Sequence, residues 1–120
     1  MPRIAIYEED DLMRALLMEW LTHAGYDVFE GRVRGIQHGR AADLVISSIY
    51  MPKQAGVHAL REVQAAHPGT PLIAISGQFR SGLSAAGSSA QMPGVQRMLA
   101  KPLARSDLLE AVRAIIGAAD

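Results

Sequence analysis

Two adjacent carboxylates, Glu8 and Glu9, two hydroxyls that close apolar runs, Ser48 and Ser76, and a lysine before proline, Lys101, are the side chains here best suited to chemistry. Neighbouring carboxylates supply hard oxygen ligands for a divalent cation. A serine near a lysine would also allow a nucleophilic pair. Nothing in the sequence supplies an oxyanion hole for such a pair, and the lysine would need a strongly lowered pKa, so no catalytic residue is assigned and the chain is expected not to be an enzyme. His23, His38, His58 and His67 lack metal-ligand spacing and read as surface residues. The glycines between Gly82 and Ser89 are followed by no lysine, which excludes a phosphate-binding P-loop.

These residues can meet only if the elements around them bring them together. The organising stretch is Asp43 to Pro52, whose short aliphatic run closed by Met51-Pro52 predicts a strand buried on both faces. Before it, Arg3 to Tyr7 predicts a strand that delivers Glu8 and Glu9 at its C-terminal end. Met13, Leu16, Leu17, Trp20, Leu21 and Ala24 then recur at helical spacing and stop at Gly25. Tyr26 to Phe29 predicts a second strand, and Gly31 to Ala42 a short helix. After the central strand the pattern predicts a helix over Val57 to His67 ended by Pro68-Gly69, a strand over Pro71 to Gly77, and a Ser/Gly/Ala-rich helix over Phe79 to Met92. A fifth strand over Val95 to Ala100 follows, then a last helix capped by Ser106, with Leu108, Leu109, Val112, Ile115 and Ile116 facing the sheet and Gly117 ending it. Five alternations of strand and helix predict an α/β fold: a parallel sheet with helices on both faces. Ligand chemistry in such sheets collects past the carboxyl ends of the strands, where Glu8, Ser48, Ser76 and Lys101 all fall.

The totals narrow the function further. A chain of 120 residues suits one domain, 1–120, able to bury its own core. Twelve basic and twelve acidic side chains give no electrostatic footprint for nucleic acid or an anionic membrane. The absence of cysteine excludes disulfides and thiolate metal sites, and no apolar run approaches the roughly 20 residues that span a bilayer. A cytoplasmic location is the expectation.

Glu8-Glu9 after the first strand, Asp43 to Pro52 at the third, Ser76-Gly77 after the fourth and Lys101-Pro102 after the fifth together resemble a response-regulator receiver domain of two-component signalling, over essentially the full length. The resemblance implies a flavodoxin-like (CheY-like) three-layer sandwich with five strands in order 2-1-3-4-5 and five helices. It also implies a site in which two acidic residues hold Mg²⁺, an aspartate ending strand three accepts a phosphoryl group from a histidine kinase, and a Ser/Thr and a Lys contact the phosphate. Transferred to this sequence, the acidic pair is Glu8 and Glu9, a backbone metal ligand is Tyr50, the hydroxyl is Ser76, the lysine is Lys101, and the acceptor position is Ser48. Met98 stands where the family's switch aromatic is usual, and Lys101-Pro102 where a cis bond is usual.

Serine at the acceptor position changes the chemistry. It can form only a stable monoester, where aspartate forms a reactive acyl phosphate. It also removes a hard oxygen ligand for Mg²⁺, so metal binding at Glu8, Glu9 and Tyr50 is expected to be weak or lost and no cofactor is assigned. Glu8 and Glu9 are expected instead to pair with Lys101. The resemblance thus implies an atypical receiver acting through protein contact, by the face of helix four, strand five and helix five (about Phe79 to Gly117), toward a histidine kinase or a downstream signalling protein. Two other origins of the pattern stay open: a small-ligand sensor using the vacated pocket among Glu8, Ser48, Ser76 and Lys101, or an acceptor substitution engineered into an ordinary receiver. An excised domain of a larger regulator is equally compatible with the sequence.

Overall fold

The computed structural model describes residues 2–31, 41–48, 61–76, 95–100 and 103–118. Five strands form one sheet: β1 (Arg3–Tyr7), β2 (Asp27–Glu30), β3 (Leu44–Ser48), β4 (Leu72–Ser76) and β5 (Val95–Ala100), in the order β2-β1-β3-β4-β5. Every pairing is parallel. The described helices are α1 (Asp11–His23), α2 (helical over 61–66) and α3 (Arg105–Ile116). The expected helix over Phe79 to Met92 lies outside the described residues. So does most of the expected helix from Gly31 to Ala42, of which residues 31, 41 and 42 are described and not helical.

Alternation along each strand divides the core into two layers, as the period of two requires. Ile4, Ile6, Leu44, Ile46, Ile73 and Ile75 turn to one face, where Leu17 and Leu21 of α1 and Leu108, Ala111 and Val112 of α3 cover them. Ala5, Tyr7, Val45, Leu72 and Ala74 turn to the other, against Val63 of α2. β1, β3 and β4 are therefore apolar almost without interruption, being buried on both sides.

The ends of α1 follow from local chemistry. The Asp10 carboxylate accepts from the amides of Leu12 (2.9 Å) and Met13 (3.2 Å), satisfying two of the helix's orphan donors. At the other end the Gly25 amide donates to Thr22 and the Tyr26 amide to Leu21, with Gly25 at φ 100°. That is a Schellman closure, which only a residue at ease with positive φ can make. It also corrects the expected start of the second strand: Tyr26 spends its amide on closing the helix, so β2 begins at Asp27. The buried Tyr26 hydroxyl instead donates to the Gly117 carbonyl at 2.7 Å, fastening the end of α3 to the end of α1.

A second correction concerns α3. Ser106 does not cap it: the cap residue is Ala104, with no side-chain hydrogen bond, and the helix starts at Arg105. The Ala104 carbonyl already accepts the Leu108 amide at 3.1 Å, which places Ser106 inside the first turn. Gly117 ends the helix at φ 78°, as expected.

Candidate functional site

Register alone brings the first two candidate residues together. β1 and β3 are neighbours with Tyr7 opposite Ser47, so the residues after each, Glu8 and Ser48, come level at the carboxyl end of the sheet. The Ser48 hydroxyl donates to Glu8 Oε1 at 2.5 Å, a short hydrogen bond. The amide of Asp10 donates to Glu8 Oε2 at 3.2 Å. Glu8 is only 6% exposed, and a buried carboxylate needs such donors to offset its desolvation. Glu9, by contrast, is exposed.

The turn carrying Glu8 is pinned by Arg14. This guanidinium donates through Nη1 to the Glu8 carbonyl at 2.9 Å and through Nε to Glu30 at 2.6 Å, and pairs through Nη2 with Asp11. One side chain on α1 thereby ties the β1–α1 turn to the end of β2. The sequence reading did not single out Arg14. The signal available was its position one turn past Asp11, where an i, i+3 ion pair forms on the helix surface.

Other candidates are located but not joined to this pair. Ser76 is the last residue of β4, opposite Ala100 of β5, so its backbone stands at the same end of the sheet. Met98 pairs with Ala74 and packs, half-buried, against the second core layer. Tyr50, Lys101 and Pro102 lie outside the described residues, and with them the expected Lys101 ion pair and cis bond. Among the described residues no group of three or more His, Cys, Asp and Glu side chains is arranged to hold a metal ion.

His67, expected at the surface, is half-buried and shares a hydrogen bond with the Tyr7 hydroxyl at 2.7 Å, the two rings meeting edge to face. Burial lowers the imidazole's pKa and raises the phenol's, since each charged form would lose hydration. Gly31 lies flat against this tyrosine: a Cβ there would come within 2.2 Å of the ring's Cζ.

Sequence comparison matches residues 4–113 to the family described as the response regulator receiver domain. The chain belongs to this family. As a receiver it is a signalling module, of a kind that works with protein partners such as kinases. It is 26% identical over 118 residues to the chemotaxis protein CheY of Thermotoga maritima, covering 94% of this chain and 96% of that one. Solved receivers share the fold. The signal receiver domain of an HD domain-containing protein from Pseudomonas fluorescens Pf-5 superposes with a TM-score of 0.75 at 24% identity, over 96% of this chain and 94% of that one. The receiver domain of a sensor histidine kinase from Pseudomonas aeruginosa PAO1, solved with a magnesium ion in its active-site cleft, gives 0.73 at 22% identity over 98% of both chains. Among the described residues no helix is long and apolar enough to cross a membrane.

Proposed function

We propose that this receiver is an atypical one, in which Ser48 occupies the phosphoacceptor position and signalling proceeds by protein contact rather than by phosphoryl uptake. The observation that carries the reading is the Ser48–Glu8 hydrogen bond at the carboxyl end of β3. An aspartate at the same position would set a second carboxylate against Glu8 and invite a cation between them. The serine hydroxyl gives Glu8 a proton donor instead.

The donor set fits Mg²⁺ poorly for the same reason. Both Glu8 oxygens already accept hydrogen bonds, and an alcohol at 48 brings no anionic oxygen to a metal that favours carboxylate ligands. On this reading Mg²⁺ binding is weak or lost, and no step of the signal passes through the metal. Partner recognition falls to the region from about Phe79 to Gly117, of which β5 and α3 are described. Arg105, Glu110 and Arg113 project from α3, where a histidine kinase or downstream protein would meet them.

Incubation with Mg²⁺ and acetyl phosphate followed by intact-mass measurement tests the reading. The expected result is an unmodified chain. Gain of one phosphoryl group would overturn it.

A further inference from the structure

Glu8 opens the three-residue turn, Glu8 to Asp10, that joins β1 to α1, and the direction of its carboxylate follows from how that turn is held. The ladder between β1 and β2 closes with the Gly31 amide, which donates to the Ile6 carbonyl at 2.8 Å. Beyond that point Arg14 holds the turn at both ends. Its backbone amide donates to the Asp10 carbonyl at 2.9 Å, and its guanidinium Nη1 donates to the Glu8 carbonyl at the same distance. The main chain fixed in this way is the one that presents Glu8 Oε2 to the Asp10 amide and Oε1 to the Ser48 hydroxyl.

The other arms of the guanidinium reach outward. Nε lies 2.6 Å from Glu30 Oε1, at the last position of the edge strand β2, and Nη2 pairs with Asp11. The Arg14 side chain is 26% exposed where that of Glu30 is 42% exposed, so one fork joins the inside of the turn to a carboxylate that solvent and solutes can reach. An i, i+3 pair such as Arg14 with Asp11 is common on a helix surface; a fork that also spans to a second strand and a turn carbonyl is a tie between elements. Because the guanidinium is planar and rigid, rotating it to follow Glu30 carries Nη1 away from the Glu8 carbonyl. The single ammonium of a lysine cannot serve all three positions.

We propose that Arg14 is a positioning residue for the Glu8–Ser48 pair, and that Glu30, at the edge of the sheet, governs the pair through it. Arg14 Nη1 meets the Glu8 carbonyl, so it acts on the direction of the turn's main chain, and the hydrogen bond from Ser48 follows from that direction. A cation that draws Glu30 away from Arg14 loosens the turn without entering the site. The inference concerns the geometry of the pair and holds whether or not Ser48 accepts a phosphoryl group.

NMR of the labelled full chain at one fixed pH without metal, together with a double-mutant cycle in urea, tests it. Arg14→Lys and Glu30→Gln should each shift the Glu8 ¹³Cδ resonance and the Ser48 amide resonance, which a loss of global stability alone would leave in place. Asp27→Asn removes the ion pair with Arg3 at the other end of β2 and should move neither resonance. In the cycle, Ser48→Ala should lower the urea midpoint less in the Arg14→Lys background than in the parent, because the hydroxyl there faces a misplaced acceptor. Additive losses for Arg14→Lys and Ser48→Ala would overturn the proposal. So would resonances that stay put in either clamp variant, or equal shifts from Asp27→Asn.

Discussion

At the scale of single residues, the short Ser48–Glu8 contact sets the character of the site. Replacing Ser48 with Ala withdraws a donor from a buried carboxylate that keeps the Asp10 amide, so the expected loss is about 1–2 kcal/mol in chemical denaturation, not more. Replacing it with Asp acts differently. Two carboxylates then face each other, and the Ser48→Asp variant should melt below the parent without metal and regain stability as Mg²⁺ is added. The parent should show no such gain, and a Mg²⁺-dependent rise in its melting temperature would count against a lost metal site. Gly31 gives a second residue-scale prediction. The Tyr7 ring cannot swing away cheaply, being buried and bonded to His67, so Gly31→Ala should cost about 1–3 kcal/mol by the same measurement.

At the scale of elements, the Tyr7–His67 bond joins β1 to the turn after α2, and its titration has a definite sign. The folded-state pKa of His67 lies below its unfolded value of about 6.5, so the unfolded chain takes up the proton first as pH falls. The stabilisation is complete above about pH 6.5 and is lost as pH drops through the folded value. Tyr7 works from the other side: its pKa is raised, so its contribution holds below about pH 10 and is lost as pH rises through the folded value. Denaturation midpoints followed from about pH 7 down to about pH 5 should fall more steeply for the parent than for His67→Gln; equal slopes would refute the assignment. The elements themselves were largely legible in advance. β1 and β5 fall at the residues expected, because aliphatic runs bounded by acidic or Lys-Pro residues leave little choice of boundary. Pro71, expected to open β4, stands just before it, and two further boundaries differ for reasons visible in the backbone hydrogen bonds. Tyr26 closes α1 and reaches Gly117, a partner 91 residues away, and the entry to α3 is set by the Ala104 carbonyl rather than by a serine.

At the scale of the whole molecule, the strand order 2-1-3-4-5 does most of the positioning. It makes β1 and β3 neighbours and so converts two residues 40 apart in sequence into a hydrogen-bonded pair. That much of the site was readable, since each strand's end was marked. The Arg14 clamp and the burial of His67 were not, because both depend on which elements pack together. The same order leaves β2 and β5 as edges, and the Tyr26–Gly117 bond secures α3 near the sheet's opposite end. Tyr26→Phe should lower global stability by about 1 kcal/mol without altering the Ser48–Glu8 site, seen as unchanged NMR shifts at Glu8 and Ser48. The central claim is that serine at position 48 keeps this receiver from taking up a phosphoryl group. It is tested most directly by exposing the parent and Ser48→Asp side by side to Mg²⁺ and acetyl phosphate, then comparing intact masses before and after acid treatment. The account predicts that the variant gains an acid-labile phosphoryl group while the parent gains none; a phosphorylated parent, or a variant as inert as the parent, would contradict it.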